Sequence, residues 1–318
     1  MKVRFWGTRG SLPRSSKADE VRAKISKVLE MAQGHDLSER DARERFIESA
    51  LSFALRGSYG GNTSCVEVRE GDEFILCDAG SGLRDFGNAV MAMDKERRPH
   101  TFHILLSHLH WDHIHGFPFF TPAYVPGNTV NIYGFHSNLE KAFSAGQEAP
   151  FFPVPLDYLG ASINFKTISL EHEHDIGGFS IRGIEQDHPG RSYGYSISRG
   201  GKKVVYSTDS EHKEGVDAGS SSFIDFFADS DLLIFDAQYS LAEAEDWKRD
   251  WGHSSNIIGV ELAVLARAKH LVLFHTEPTY DDEHLDRIQH DTLKYARYYA
   301  EDYPLLVNVA YDGLEIEV

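Results

Sequence analysis

The chain has 318 residues and a formal net charge of −17, with 41% hydrophobic and 25% charged residues. That length suffices for one large domain or two modest ones, and the composition is that of a globular rather than a disordered protein. No apolar run approaches the ~20 residues of a membrane span, and the acidic surplus disfavours nonspecific binding to long nucleic acid, whose phosphates recruit dense Lys/Arg surfaces.

The opening MKVRFWGTRG carries no apolar signal segment, and Cys65 and Cys77 read as reduced core thiols, so a cytoplasmic protein is expected. Residues 3–6 form a short strand before a turn-rich loop, Gly7 to Pro13. Val21, Ile25, Val28, Leu29 and Ala32 then recur at helical spacing, and Gly34 interrupts them. Ser38 reads as the N-cap of a second helix carrying Phe46, Ile47, Ala50, Leu51 and Ala54. The stretch of about 18–56 is thus an inserted helical hairpin. It can serve as a lid, a homodimer contact or a decoration of the fold's edge.

Residues 65–68 and 74–77 read as a hairpin around Gly71-Asp72, ending in Asp78-Ala79-Gly80-Ser81-Gly82. Further strands fall at 104–106, 130–133, 163–168 and 179–184, with a hairpin of 193–198 and 203–207 around Gly200-Gly201. Strands at 232–235 and 271–274 follow, and helices fit 137–147, 254–268 and 281–300. The terminal residues 305–311 and 314–318 read as one more hairpin around Asp312-Gly313. Two sets of strands, each with helices attached, imply an α/β sandwich.

The segment SHLHWDHIHG, Ser107 to Gly116, follows an apolar run and is poor material for a core. Residues two apart on an extended segment point to one side, so His108 and His110 project together. Asp112 and His113 come as the chain turns and can face a second point. Imidazole with carboxylate suits Zn2+, and also Mn2+ or Fe2+.

HLHWDH resembles the metal-binding signature of the metallo-β-lactamase-fold hydrolases. Further motifs resembling that family follow in order: His188 in EQDHPG, Asp209 in YSTDSE and His275 in FHTEP. Asp78 in CDAGSG resembles its first motif, an acidic residue that supports the site without ligating. The resemblance covers almost the whole chain except about 18–56 and implies an αββα sandwich of two mixed sheets in one domain, 1–318. It further implies two divalent metal ions. His108, His110 and His188 hold the first; Asp112, His113 and His275 hold the second; Asp209 and a hydroxide bridge them. Asp112 also orients the water or accepts its proton.

VRFWGTRGSLP, YGGNTSCVEV and WGHSS resemble the phosphodiesterase and tRNA 3′-processing nuclease branch. This resemblance implies that His253 contacts the scissile phosphate and protonates the leaving oxygen. Arg191, as a bidentate phosphate donor, and Tyr193, as a pocket wall, are further candidates. The nuclease's basic Gly-rich arm has no counterpart, since residues 137–160 hold a single lysine, Lys141. The expected activity is hydrolysis of a small anionic phosphodiester such as a cyclic nucleotide; lactone or thioester hydrolysis and tRNA processing are the alternatives. His172 and His174 match no motif and are expected in a solvated turn, and His103, His115 and His136 take no assigned role.

Overall fold

The computed structural model describes residues 1–93, 99–212, 220–240 and 251–318. Its strands are β1 Lys2–Gly7, β2 Cys65–Glu70, β3 Glu73–Cys77, β4 Thr101–Leu105, β5 Thr129–Gly134, β6 Ser162–Thr167 and β7 His174–Ile176. Then come β8 Phe179–Gln186, β9 Ser192–Arg199, β10 Lys202–Ser207, β11 Leu232–Asp236, β12 His270–Phe274, β13 Leu306–Val309 and β14 Glu315–Glu317. Among the described residues they form two seven-stranded sheets, ordered β14-β1-β2-β3-β4-β5-β6 and β13-β12-β11-β10-β9-β8-β7. Both sheets are mixed. Neighbours from β3 to β6 and from β10 to β13 are parallel, and the remaining pairs are antiparallel.

Strands covered on both faces have no polar side to show, and this explains the continuous apolar runs. Every residue of β11 is buried, as are the last four of β12. Between the sheets, Phe5, Val68 and Leu105 share one core with Ile197, Tyr206 and Phe274. Outside the first sheet lie helices Gly82–Met93 and Leu139–Gly146, burying Leu83, Phe86 and Phe143. Outside the second lie Asn256–Leu265 and Asp282–Tyr299, burying Val260, Ala263 and Leu285. The layers are helix, sheet, sheet, helix, as expected. Val66 pairs with Cys77, so Cys65 sits one residue out of step, and side chains alternate between faces. Cys77 therefore enters the inter-sheet core and Cys65 the outer layer; both are free thiols.

Three expectations need correction, and one helix is an addition. The terminal segments do not pair with each other: β13 edges the second sheet and β14 the first. The Asp312 carboxylate accepts from the Gly61 and Asn62 amides at 2.9 Å and from Thr8 Oγ1 at 3.1 Å. The Gly313 amide donates to Phe5 O at 2.7 Å. These bonds fasten the turn to the first sheet and carry β14 away from β13. Ser38 is not a cap; Glu39 precedes helix Arg40–Ala50 without a side-chain cap, and Ser38 O instead accepts from Arg43 Nη1 at 2.7 Å. His174 opens β7 opposite Ile181 rather than lying in a turn. Helix Gly82–Met93 was not anticipated, because Gly82 and Gly87 interrupt its apolar series.

The insertion follows β1 as helices Ala18–Met31, Arg40–Ala50 and Phe53–Arg56. Polar ties hold it to the helix Asp282–Tyr299. Lys24 pairs with Asp282, and the Ala54 amide donates to Asp286 Oδ2 at 3.0 Å. Val21, Ile25 and Leu29 remain exposed.

Phe86 is fully enclosed, packing against Trp6, Phe74, Phe102 and Phe120. Phe86→Ala should cost about 3–5 kcal/mol in denaturant unfolding. A loss below about 1 kcal/mol would contradict this packing.

Candidate metal centre

Each candidate ligand segment leaves the C-terminal end of a strand. Asp78 follows β3, His108 to His113 follow β4, His188 follows β8, Asp209 follows β10 and His275 follows β12. These ends meet on one rim of the sandwich, where such sheets commonly place their sites. Asp78, Asp209 and His275 have φ of 63°, 49° and 59°, and Ser11 in the first loop has 58°. Asp and His are among the non-glycine residues that tolerate left-handed backbone, which also occurs away from the cluster at Asp229, Arg267 and Glu301.

Two donor groups converge there. His108, His110 and His188 each offer a ligand atom within 4.8 Å of the others, and so do Asp112, His113, Asp209 and His275. Asp209 faces both groups. Its Oδ2 lies 3.6 Å from His108 Nε2 and 3.8 Å from His188 Nε2. Its Oδ1 lies 3.2 Å from His113 Nε2 and 3.3 Å from His275 Nε2. Asp112 Oδ2 lies 3.2 Å from His113 Nε2 and 3.1 Å from His275 Nε2.

Hydrogen bonds on the far ring nitrogens aim these imidazoles. His113 Nδ1 donates to Asp78 Oδ2 at 2.7 Å, and His188 Nδ1 donates to Gly252 O at 2.8 Å. In each case Nε2 is left toward the cluster, the arrangement a ligating histidine needs. Asp78 is itself fixed by the Ser107 amide and hydroxyl at 2.7 and 2.8 Å and by the Tyr206 hydroxyl at 2.7 Å. Gly252 has φ +84°, and a Cβ there would fall 2.4 Å from His188 Nδ1, so only glycine fits. The first loop closes over the second group: the Ser11 amide donates to Asp112 Oδ2 at 2.7 Å.

The electrostatics fit a cation. Burial, helped by His113, pushes His108 well below its ordinary pKa, and its buried Nε2 has no hydrogen-bond partner among the described residues. Burial alone would raise Asp209 and Asp112, but the neighbouring histidines hold both well below the usual carboxylate range. Burial would lower His113, yet Asp209, Asp112 and Asp78 keep it well above its ordinary value. With no cation, a proton on His113 offsets the carboxylates. A divalent ion would displace that proton, so its affinity should fall as pH falls.

His253 stands at the edge of the cluster, its ring centroid 5.1 Å from those of both His188 and His275. A ligand atom of His253 also comes within 4.8 Å of His188 and Asp209. Its Nδ1 donates to Asp236 Oδ2 at 2.9 Å. Burial lowers the His253 pKa, but Asp236, with Asp209 and Asp112, outweighs it and the net direction is upward. Asp236, the last residue of β11, was missed in the sequence. The signal was its place after an apolar run, the same place Asp78 and His275 occupy after theirs.

The Arg191 amide donates to His188 O at 2.9 Å and the Tyr193 amide to Ser107 O at 3.0 Å, so the backbone of both lies beside the donors. Arg191 is exposed, 3.9 Å from Glu185. Tyr193 is buried, with ring centroids 4.8 Å from Phe135 and 5.1 Å from His136. His172 is exposed, and His174 Nε2 lies 2.8 Å from Ser169 O; neither joins the cluster.

The family described as "Beta-lactamase superfamily domain" matches residues 73–276. The Bacillus subtilis (strain 168) protein named "Probable metallo-hydrolase YhfI" is 26% identical over 240 residues, covering 71% of this chain and 86% of its own. Ribonuclease Z of Pyrococcus furiosus is 24% identical over 269 residues, covering 69% of this chain and 82% of its own. The crystal structure of YhfI, a metallo-beta-lactamase fold protein, superposes with a TM-score of 0.63 at 20% identity, covering 100% of this chain and 99% of its own.

Asp78→Asn preserves size and tolerates the left-handed backbone, but sets an amide among groups that all donate. Metal affinity, measured by competition with a chromophoric chelator, should drop about 10–100-fold. Unchanged affinity would remove Asp78 from its orienting role.

Proposed function

The chain belongs to the beta-lactamase superfamily, and on that premise we propose that it is a two-metal hydrolase of a small phosphodiester, such as a cyclic or linear nucleotide. His108, His110 and His188 would hold one ion, and Asp112, His113 and His275 the other, with Asp209 between them. Divalent ions there, Zn2+ first and Mn2+ or Fe2+ next, would lower the pKa of a water and offset charge on the attacked group. Two carboxylates and a bridging hydroxide against two divalent ions would leave one positive charge in surplus. That surplus draws an anion to the rim despite the chain's net charge of −17. Asp112, kept ionised and fixed by the Ser11 amide, is suited to orient a water rather than to store its proton.

The observation that carries the phosphodiester reading is the Asp236–His253 pair. An alkoxide leaves phosphorus poorly without a proton, and His253 stands beside the cluster with its Nδ1 committed to Asp236, which would leave Nε2 to carry one. A thioester's thiolate leaves with far less help. The relatives named Ribonuclease Z favour RNA as a second reading. Against it, helix Leu139–Gly146 and the turn Leu156–Tyr158, which bridge β5 to β6, carry no cation but Lys141.

Elemental analysis of protein purified without chelators should give two ions per chain, and His253→Ala should leave that count unchanged. His253→Ala should slow phosphodiesters with ribose leaving groups by ~10²–10⁴-fold, and p-nitrophenyl esters much less. Equal slowing of both would make His253 a phosphate-positioning group. No slowing of either, with turnover of lactones or thioesters, would overturn the phosphodiesterase reading.

The pH profile gives an independent check. Asp236 raises the His253 pKa, and a general acid fails as pH rises through its pKa. Asp236→Asn should therefore move the alkaline limb of kcat to lower pH. An unmoved limb would dissociate the pair from the reaction.

A further inference from the structure

The backbone that presents the metal donors also walls a cavity of about 550 Å³, a size typical of small-molecule sites. His108, His110 and Asp112 belong to the donor cluster, while Leu109 and Trp111, the residues between them, line the cavity. Phe119, Phe151 and Phe152 line it as well. Trp111 is 80% exposed and Phe151 is 79% exposed, a concentration of accessible aromatic surface that marks a binding site more often than a structural need. Phe119 and Phe152 meet edge to face at 5.6 Å. Among the described residues no Lys, Arg, Asp or Glu lines the cavity, and His115 is its one imidazole.

One lining polar group is out of balance. Gln147 is 1% exposed, and its Nε2 donates to Val154 O at 3.2 Å, which fixes the amide's orientation. Its Oε1 is then buried, with no hydrogen-bond partner among the described residues. A buried carbonyl oxygen without a donor is rare in a folded protein and calls for a ligand or a water.

We propose that this cavity takes the base of a nucleotide substrate: a flat, uncharged heteroaromatic ring that carries an N–H donor. The ring lies against Trp111, Phe119 and Phe151, and the N–H reaches Gln147 Oε1. An alkyl or acyl chain would meet the aromatic walls but leave Oε1 unpaired. A cation would find no carboxylate, and an anion no Lys or Arg, among the described lining residues. The inference rests on the phosphodiesterase reading for the link between base and phosphate; the cavity's own chemistry does not depend on it.

Equilibrium binding of adenosine and purine riboside to the full chain tests this directly, because the two differ only in the exocyclic amino group. Adenosine should bind about two- to tenfold tighter, the range of one hydrogen bond. Gln147→Leu should erase that difference. Phe151→Ala, at an exposed position that folding does not depend on, should weaken both nucleosides about fivefold or more, and Phe151→Tyr should restore them. Absent adenosine binding, binding indifferent to Phe151, or displacement of adenosine by octanol would overturn the proposal. If adenosine binds as stated but no phosphodiester is cleaved, the pocket stands and the phosphodiesterase reading falls. If phosphodiesters are cleaved equally by the wild-type protein and Phe151→Ala while adenosine does not bind, the pocket falls and that reading stands.

Discussion

Asp209 carries its charge at 2% exposure, where a carboxylate without compensation would be too costly to keep ionised. The rim of the sandwich is organised around that cost. His113, after β4, comes from the first sheet; His188 and His275, after β8 and β12, come from the second. They reach Asp209 from both sides, so one buried charge joins the two sheets above their shared apolar core. Its two oxygens face different sets of histidines. That division makes the centre read as two sites rather than one.

A second tier of contacts gives the donors direction. Asp78 holds His113, Gly252 O holds His188 and Asp236 holds His253, each through the ring nitrogen turned away from the cluster. Gly252 thereby does two things. Its carbonyl steers His188, and its lack of a side chain lets the chain pass close enough to place His253 next in sequence. The left-handed turns at Asp78, Asp209 and His275 follow the same logic. A strand that continued in the usual extended geometry would send the next side chain to one face of the sheet. The turn instead folds it over the rim, and the surrounding hydrogen bonds offset the backbone strain.

The donors were legible in the sequence because each follows an apolar strand, and burial on both faces makes such strands conspicuous. What they would bind to, and in which pairing, came from resemblance rather than from periodicity. Asp236 also follows an apolar run but was passed over. In LLIFDAQY it looks like an ordinary strand end, and its role appears only where β11 lies beside β10 and β12. The terminal turn misled for a related reason. Asp312-Gly313 is a strong local hairpin signal, yet Asp312 spends its carboxylate on Gly61, Asn62 and Thr8, which are far away in sequence. Helix Gly82–Met93 carries Leu83, Phe86 and Val90 at helical spacing, and two glycines hid it. Gly87 is there because Phe120 and Pro122 pack against its bare Cα. Long-range contacts overrode local propensity in each case.

The central claim is that Asp209 stands between two cations at once. Loading the metal-free protein with Mn2+ and recording its electron paramagnetic resonance spectrum tests this most directly. At saturation the account predicts the spectrum of a spin-coupled pair, replaced by that of isolated ions in Asp209→Ala. Uncoupled Mn2+ in the saturated wild-type protein, with one ion per chain, would contradict it.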